Sequence, residues 1–263
     1  MASVGPLAVS CPAHKLLAEE TRRGQLPGET AEQVKSAKQL AKSMSSYGAL
    51  WELIGVNDRP ALRFSDGRRQ FISHRNLHNF VRRFRLPVSE ARASSPRRPV
   101  VCVALPNGPL LAAVCLAVAT YYVAAPINPA VGPDQFRTDV SKLGAAFILT
   151  TALDIDHLQL ESAWVKDGGI RVLVTQLEQD MTITVREVEG NRRLPIDLGD
   201  AAQPRPNEGD DISIVLFTSG TTGAKKVVPL LMRSILTGVA EVISSWALTD
   251  RDTGLNMMPL YHM

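Results

Sequence analysis

The stretch at residues 100–129, VVCVALPNGPLLAAVCLAVATYYVAAPINP, contains no Asp, Glu, Lys or Arg. Its first six residues, Val100 to Leu105, form an apolar run of strand length, stopped by Pro106-Asn107-Gly108. Pro109 suits the first position of a helix, where its missing N–H would have no intrahelical partner anyway. The spacing predicts a helix to about Thr120 and a second buried strand from Tyr122 to Ile127. The apolar run between Pro109 and Pro126, Leu110 to Ala125, has sixteen residues. As a helix it would cover about 24 Å, short of a ~30 Å hydrocarbon core. Its alanine content also fits a helix enclosed in an α/β domain better than a membrane span.

Working outward, the same alternation continues. Gly132-Pro133-Asp134 opens a helix in which Phe136, Val140 and Leu143 share a face and which Gly144 can end. Phe147 to Thr150 reads as a strand, Asp156 to Val165 as a helix, and Arg171 to Thr175 and Thr182 to Val188 as strands. Upstream, Ala61 to Phe64 and Arg69 to Ile72 read as a hairpin about the Ser65-Asp66-Gly67 turn. Ser73 then caps a helix carrying Leu77, Phe80, Val81 and Phe84 at helical spacing. The expected class is α/β, a mostly parallel sheet with helices on both faces. Residues 1–45 read as an N-terminal extension, in which Thr30 to Met44 has the pattern of a polar helix, and residues 46–263 as the domain.

The chain has 263 residues and a formal net charge of +3, from 29 Lys and Arg against 26 Asp and Glu. That total conceals an asymmetry: residues 1–58 are neutral, residues 59–98 carry +9 through eleven arginines, and residues 99–263 carry −6. The arginines are scattered through an amphipathic pattern without interleaved aromatics, so a solvated or partner-facing surface is expected rather than nucleic-acid binding. Three cysteines cannot all pair, and Cys102 and Cys115 lie in apolar runs where buried reduced thiols are expected. The N-terminus has neither a basic n-region nor a long apolar core, so a cytoplasmic location is expected. His74 and His78 lie a helical turn apart without a third ligand at metal spacing and read as polar surface. Trp51, Trp164 and Trp246 read as packing residues.

The chemistry sits further on. Ile212 to Phe217 is a six-residue apolar strand followed by TSGTTGAKK, Thr218 to Lys226. Glycines admit backbone N–H groups close to an anion, hydroxyls add donors and lysine adds mobile positive charge, so the loop suits phosphate; the same composition also suits a plain turn. It is neither a Walker A loop nor a GxGxxG turn. Val227 to Met232 continues as a strand, so the loop joins two strands, and Ile235, Val239, Val242 and Trp246 mark the next helical stripe.

In its order, the loop resembles the phosphate loop TSG[ST]TGxPK of the adenylate-forming superfamily, which includes acyl-CoA synthetases and non-ribosomal peptide synthetase adenylation domains. Thr218, Ser219, Gly220, Thr221, Thr222, Gly223 and Lys226 match. Lys225 stands where the family carries Pro, leaving two adjacent lysines for one role. ALRFSDGRRQFISHRNL at 61–77, the P-x-[ND]-P ending of the stretch at 100–129 and Met258-Pro259-Leu260-Tyr261-His262 resemble further family segments. The wording is most similar to fungal synthetase-like members. The resemblance implies that ATP, with Mg²⁺, activates a carboxylic acid as an acyl-adenylate, which then passes to coenzyme A or a carrier-protein pantetheine. It implies that Thr218 to Gly223 hold the β- and γ-phosphates, that Lys226 assists catalysis, and that Tyr261 and His262 border the acyl site, His262 with a catalytic part.

The family's later elements, an adenine-stacking segment, a ribose-binding aspartate and a mobile C-terminal domain with its lysine, have no counterpart before Met263. The expectation is an N-terminal fragment of a ligase, not completing the reaction alone and leaving sheet edges and apolar surface exposed. The alternative is a non-catalytic remnant that binds nucleotide or a partner.

Overall fold

In the computed structural model, which describes residues 39–40, 42–44, 46, 48–64, 70–88, 97–189, 204–218 and 225–261, a one-turn helix at Leu50–Leu53 leads into an antiparallel pair. Its strands are β1 (Pro60–Arg63) and β2 (Phe71–Ser73); the Ser65-Asp66-Gly67 turn lies outside the described residues. Ser73 ends β2 and caps α1 (His74–Arg83), its Oγ accepting the Asn76 N–H at 3.1 Å. This satisfies one of the N–H groups that a helix start leaves without a partner.

The apolar run at 100 becomes β3 (Val100–Ala104), followed by α2 (Pro109–Tyr121) and β4 (Val123–Pro126). Next come α3 (Pro133–Leu143), β5 (Phe147–Thr150), the short helices α4 (Asp154–His157) and α5 (Ala163–Asp167), β6 (Arg171–Leu177) and β7 (Ile183–Glu187). The chain continues with β8 (Ile212–Thr218), β9 (Lys226–Leu231) and α6 (Met232–Ser245). Seven strands form one sheet in the order β7-β6-β5-β3-β4-β8-β9. The five inner strands are parallel and each outermost strand pairs antiparallel with its neighbour.

Period-two alternation along β3 sends Val101 and Val103 to one apolar layer, with α1 and α2, and Cys102 and Ala104 to another, with Phe136 and Val140 of α3. The sheet is therefore covered on both faces, as expected. Gly144 ends α3 at φ 59°, ψ 40°, a left-handed conformation that glycine enters without a Cβ penalty. No helix among the described residues is long and apolar enough to cross a membrane.

Four expectations need correction. The helix expected from Asp156 to Val165 is two short ones, because Gln159 turns left-handed at φ 52° and lets both Leu158 and Leu160 reach the core. The stripe expected on α6 is displaced: Met232, Leu236, Ala240 and Ile243 are buried against Leu40, Met44 and Leu53, whereas Val239, Val242 and Trp246 are exposed. Trp246 is therefore not a packing residue, being 73% exposed. His74 and His78 are buried, not surface residues. Nδ1 of His74 lies 3.0 Å from the Arg59 carbonyl, and His78 meets Trp51 edge to face at 5.6 Å.

The connection into β8 is fastened to the end of α2. The Asn207 N–H donates to the Thr120 carbonyl at 2.7 Å, and its Nδ2 donates to the Ala119 and Tyr122 carbonyls, each at 2.8 Å. Carbonyls at a helix C-terminus lack intrahelical donors, and here a buried amide supplies them. Asn207→Ala is expected to lower stability by about 1–3 kcal/mol by leaving those acceptors dry, read as a lower urea midpoint. Nearby, burial works against charged Asp211. It is outweighed by a hydrogen bond from Arg205 at 2.6 Å, the Glu208 N–H at 2.9 Å and the charges of Arg205 and Arg98, which hold this carboxyl below its usual range. That stabilisation is present above about pH 4 and is lost as pH falls through the depressed value. Asp211→Asn should flatten this part of the acid limb of an unfolding titration.

Candidate functional site

Because β3, β4 and β8 are parallel, their C-terminal ends share one edge of the sheet. The chain leaves β3 into α2 on one face and β4 into α3 on the other, the divergence that opens a crevice at such an edge. At this edge β8 ends at Thr218 and β9 begins at Lys226, and these two residues are direct partners in the antiparallel ladder. The pairing closes the base of the hydroxyl- and glycine-rich loop. Ser219, Gly220, Thr221, Thr222 and Gly223 themselves lie outside the described residues. Along β8, Ile214 packs in the α2-side layer and Phe217 in the α3-side layer. Thr218 keeps step with Ile214 and so belongs to the α2 side. Lys226 is exposed.

Tyr261 comes to the same edge and the same face. The Leu260 N–H donates to Asn107 Oδ1 at 3.0 Å, and Leu260 and Tyr261 both pack against the α2-side layer. Asn107 lies in the turn between β3 and α2, so Leu260 and Tyr261 are pinned to the crevice mouth. His262 lies outside the described residues. Of the expected site residues, the structure thus brings Thr218, Lys226 and Tyr261 to one edge.

Lys225, the departure from the family pattern, is held tightly. Its Nζ lies 2.5 Å from Asp139 Oδ2 on α3 and 5.5 Å from the centre of the Phe217 ring, and its carbonyl accepts a hydrogen bond from Lys142 Nζ. The other Asp139 oxygen accepts from Gln135 Nε2 at 2.8 Å. Asp139 is 2% exposed.

Asn107 and Asp139 were not legible as site residues. Asn107 passes for part of a strand-stopping turn. Asp139 did leave a signal, since it shares the apolar face of α3 with Phe136 and Val140, where an unpaired carboxylate would be costly. Among the described residues no three His, Cys, Asp or Glu side chains converge as a metal site. Cys102 is buried as expected, whereas Cys115 is only half-buried, yet neither thiol is suited to nucleophilic work. Burial pushes the Cys115 thiol up to about 12, and pushes Cys102 higher still with help from the negative charge of Asp139. Iodoacetamide at about pH 8 should therefore alkylate neither Cys102 nor Cys115 until denaturant is added, since thiolate is the reactive form; peptide mapping reads the outcome.

Comparison with known proteins identifies the family of the chain. The family described as AMP-binding enzyme matches residues 55–263. An oxalate–CoA ligase from Arabidopsis thaliana is 25% identical over 218 residues, which are 80% of this chain and 41% of that protein. A sulfoacetate–CoA ligase from Cupriavidus necator is 29% identical over 168 residues, 62% of this chain and 30% of that protein. Apo MatB from Rhodopseudomonas palustris superposes with a TM-score of 0.48 at 15% identity, over 68% of this chain and 33% of that one. The chain thus spans less than half the length of these relatives.

Proposed function

The chain belongs to the AMP-binding enzyme family, and on that premise we propose that it carries the nucleotide-phosphate site, and one wall of the acyl site, of an ATP-dependent acid–CoA ligase. The observation that carries this reading is the Thr218–Lys226 pair, which closes the loop at the C-terminal edge of a parallel sheet. In the reaction, a carboxylate oxygen bonds to the α-phosphorus of ATP as the bond to pyrophosphate breaks. A thiol then displaces AMP from the acyl-adenylate to give a thioester. Coenzyme A is favoured as the thiol by the names of the two relatives above.

The residues fit the first half of this chemistry. Negative charge builds on the departing pyrophosphate, and donors fixed in advance stabilise it without reorganising during reaction. Thr218 offers a hydroxyl at the entry to the loop, while Ser219, Gly220, Thr221, Thr222 and Gly223 offer hydroxyls and approachable N–H groups. Lys226 adds a cation at the exit from a backbone position fixed by the ladder. Tyr261 borders the acyl group, with His262 next to it in sequence. Mg²⁺, which the family resemblance implies, would enter as the companion of the nucleotide.

Isothermal titration with MgATP tests the site directly. Binding to the wild-type chain is expected, weakened about tenfold or more by Lys226→Ala, the loss of one charge-assisted contact. Gly220→Val should have a similar effect. Affinity unchanged in both variants would overturn the reading.

A further inference from the structure

At Lys225 the resembled loop carries proline, whose ring fixes φ and stiffens the exit from the loop. Lysine supplies no such stiffness, yet Lys225 is among the best-anchored residues at this edge. Its ammonium meets Asp139 Oδ2 at 2.5 Å and stands 5.5 Å from the Phe217 ring, and its carbonyl is held by Lys142. Phe217 belongs to the strand entering the loop, Lys225 immediately precedes the strand leaving it, and Asp139 and Lys142 belong to α3 beneath. One side chain therefore ties entry, exit and supporting helix together.

The energetics make this tie hard to break. The Asp139 side chain is 3% exposed, and a carboxylate so far out of water needs a cation in contact with it. Gln135 satisfies one oxygen but brings no charge. Drawing Lys225 away to a phosphate would strand the carboxylate. Lys226, the first residue of β9, is paired across the ladder with Thr218, which places it on the α2 side, and it is exposed.

We propose that Lys225 is a positioning residue: its ion pair with Asp139 replaces the backbone constraint of proline, fixes the exit of the phosphate loop on α3 and reserves Lys226 for the nucleotide. This rests on the phosphate-site reading above. The division of labour also resolves which of the two lysines serves the phosphates.

The test uses the 263-residue chain with five variants: Lys225→Ala, Asp139→Asn, their double, Asp139→Asn with Lys225→Pro, and Lys226→Ala. MgATP affinity, amide exchange at residues 226–228 and the unfolding midpoint are measured for each. Losing the tether lowers the fraction of chains with a competent loop, so Lys225→Ala and Asp139→Asn should each weaken MgATP binding on the order of tenfold. Their double should match the worse single variant, as for two ends of one interaction, and Lys225→Pro in the Asp139→Asn background should return affinity to within about twofold of wild type. Amide exchange should quicken in Asp139→Asn and slow again with the proline. A residue with only a packing role would not be rescued in this way.

Unchanged affinity and exchange in Asp139→Asn, additive effects in the double variant, or failure of proline to rescue a folded Asp139→Asn chain would each overturn the proposal. Wild-type affinity in Lys226→Ala would instead overturn the phosphate-site reading, and the exchange measurement would still decide whether the tether exists.

Discussion

The burial of β3 on both faces is the constraint from which the rest of the structure follows. Every side chain from Val101 to Leu105 is out of contact with water, and the strand is paired on both sides, with β4 and β5. Such a strand cannot sit at an edge or under a single layer, so the chain must supply apolar cover above and below. It does so with α2 on one side and α3 on the other. The two crossovers must leave the strand ends in opposite directions, and that opens the crevice at which Asn107, Thr218, Lys226 and Tyr261 gather. Site and core are thus consequences of the same hydrophobic run.

The charge asymmetry takes on a local meaning in this frame. Several arginines of the basic segment are engaged with the fold. Arg82 lies over Trp51 at 5.4 Å and Arg85 over Tyr121 at 3.9 Å, the latter covering the end of α2. Arg75 pairs with Asp58, and Arg59 donates to the Asp250 carbonyl, far along the chain. Arg98 approaches Asp211 at the entrance to β8. The planar guanidinium suits stacking and multiple hydrogen bonds at once, which is what a segment lying between an aromatic layer and carbonyl-rich loops requires. Among the described residues, exposed large apolar side chains are found at Val56, Leu153, Ile212 and Val227 and, more densely, late in the chain at Val239, Val242, Trp246, Leu255, Met257 and Met258.

How much of this was readable depended on whether the controlling interaction is local. The strand–helix–strand unit at 100–129, the Ser73 cap, the Gly144 stop and the strands flanking the Thr218–Lys226 loop were legible, because periodicity, capping and turn chemistry act over a few residues. What escaped is set by distant partners. The face that α6 buries is chosen by Leu40 and Met44, some two hundred residues earlier. His74 and His78 look polar at helical spacing but are drawn inward by the Arg59 carbonyl and by Trp51, which belong to earlier segments of the chain. Gln159 breaks a helix that its own propensity would continue, because two leucines on either side both need the core. At the site, the loop order was legible, whereas the anchors Asn107 and Asp139 were not, since each acts on a residue at least eighty positions away.

The Lys225–Asp139 pair shows why such departures from a motif are better read in three dimensions. Judged along the chain, lysine for proline loosens a loop and crowds two positive charges. In the fold, the buried carboxylate of Asp139 comes within contact distance of that position, and Phe217 offers a ring face to the same ammonium. The constraint has moved from a covalent ring to an ion pair, and the two differ in kind. A proline restricts the chain in folded and unfolded states alike, whereas an ion pair to a desolvated carboxylate exists only once α3 and the sheet have come together. Order at the loop exit is thereby made conditional on the packing of the central sheet, so that the hydrophobic run that builds the fold also bears on the geometry of the proposed phosphate site.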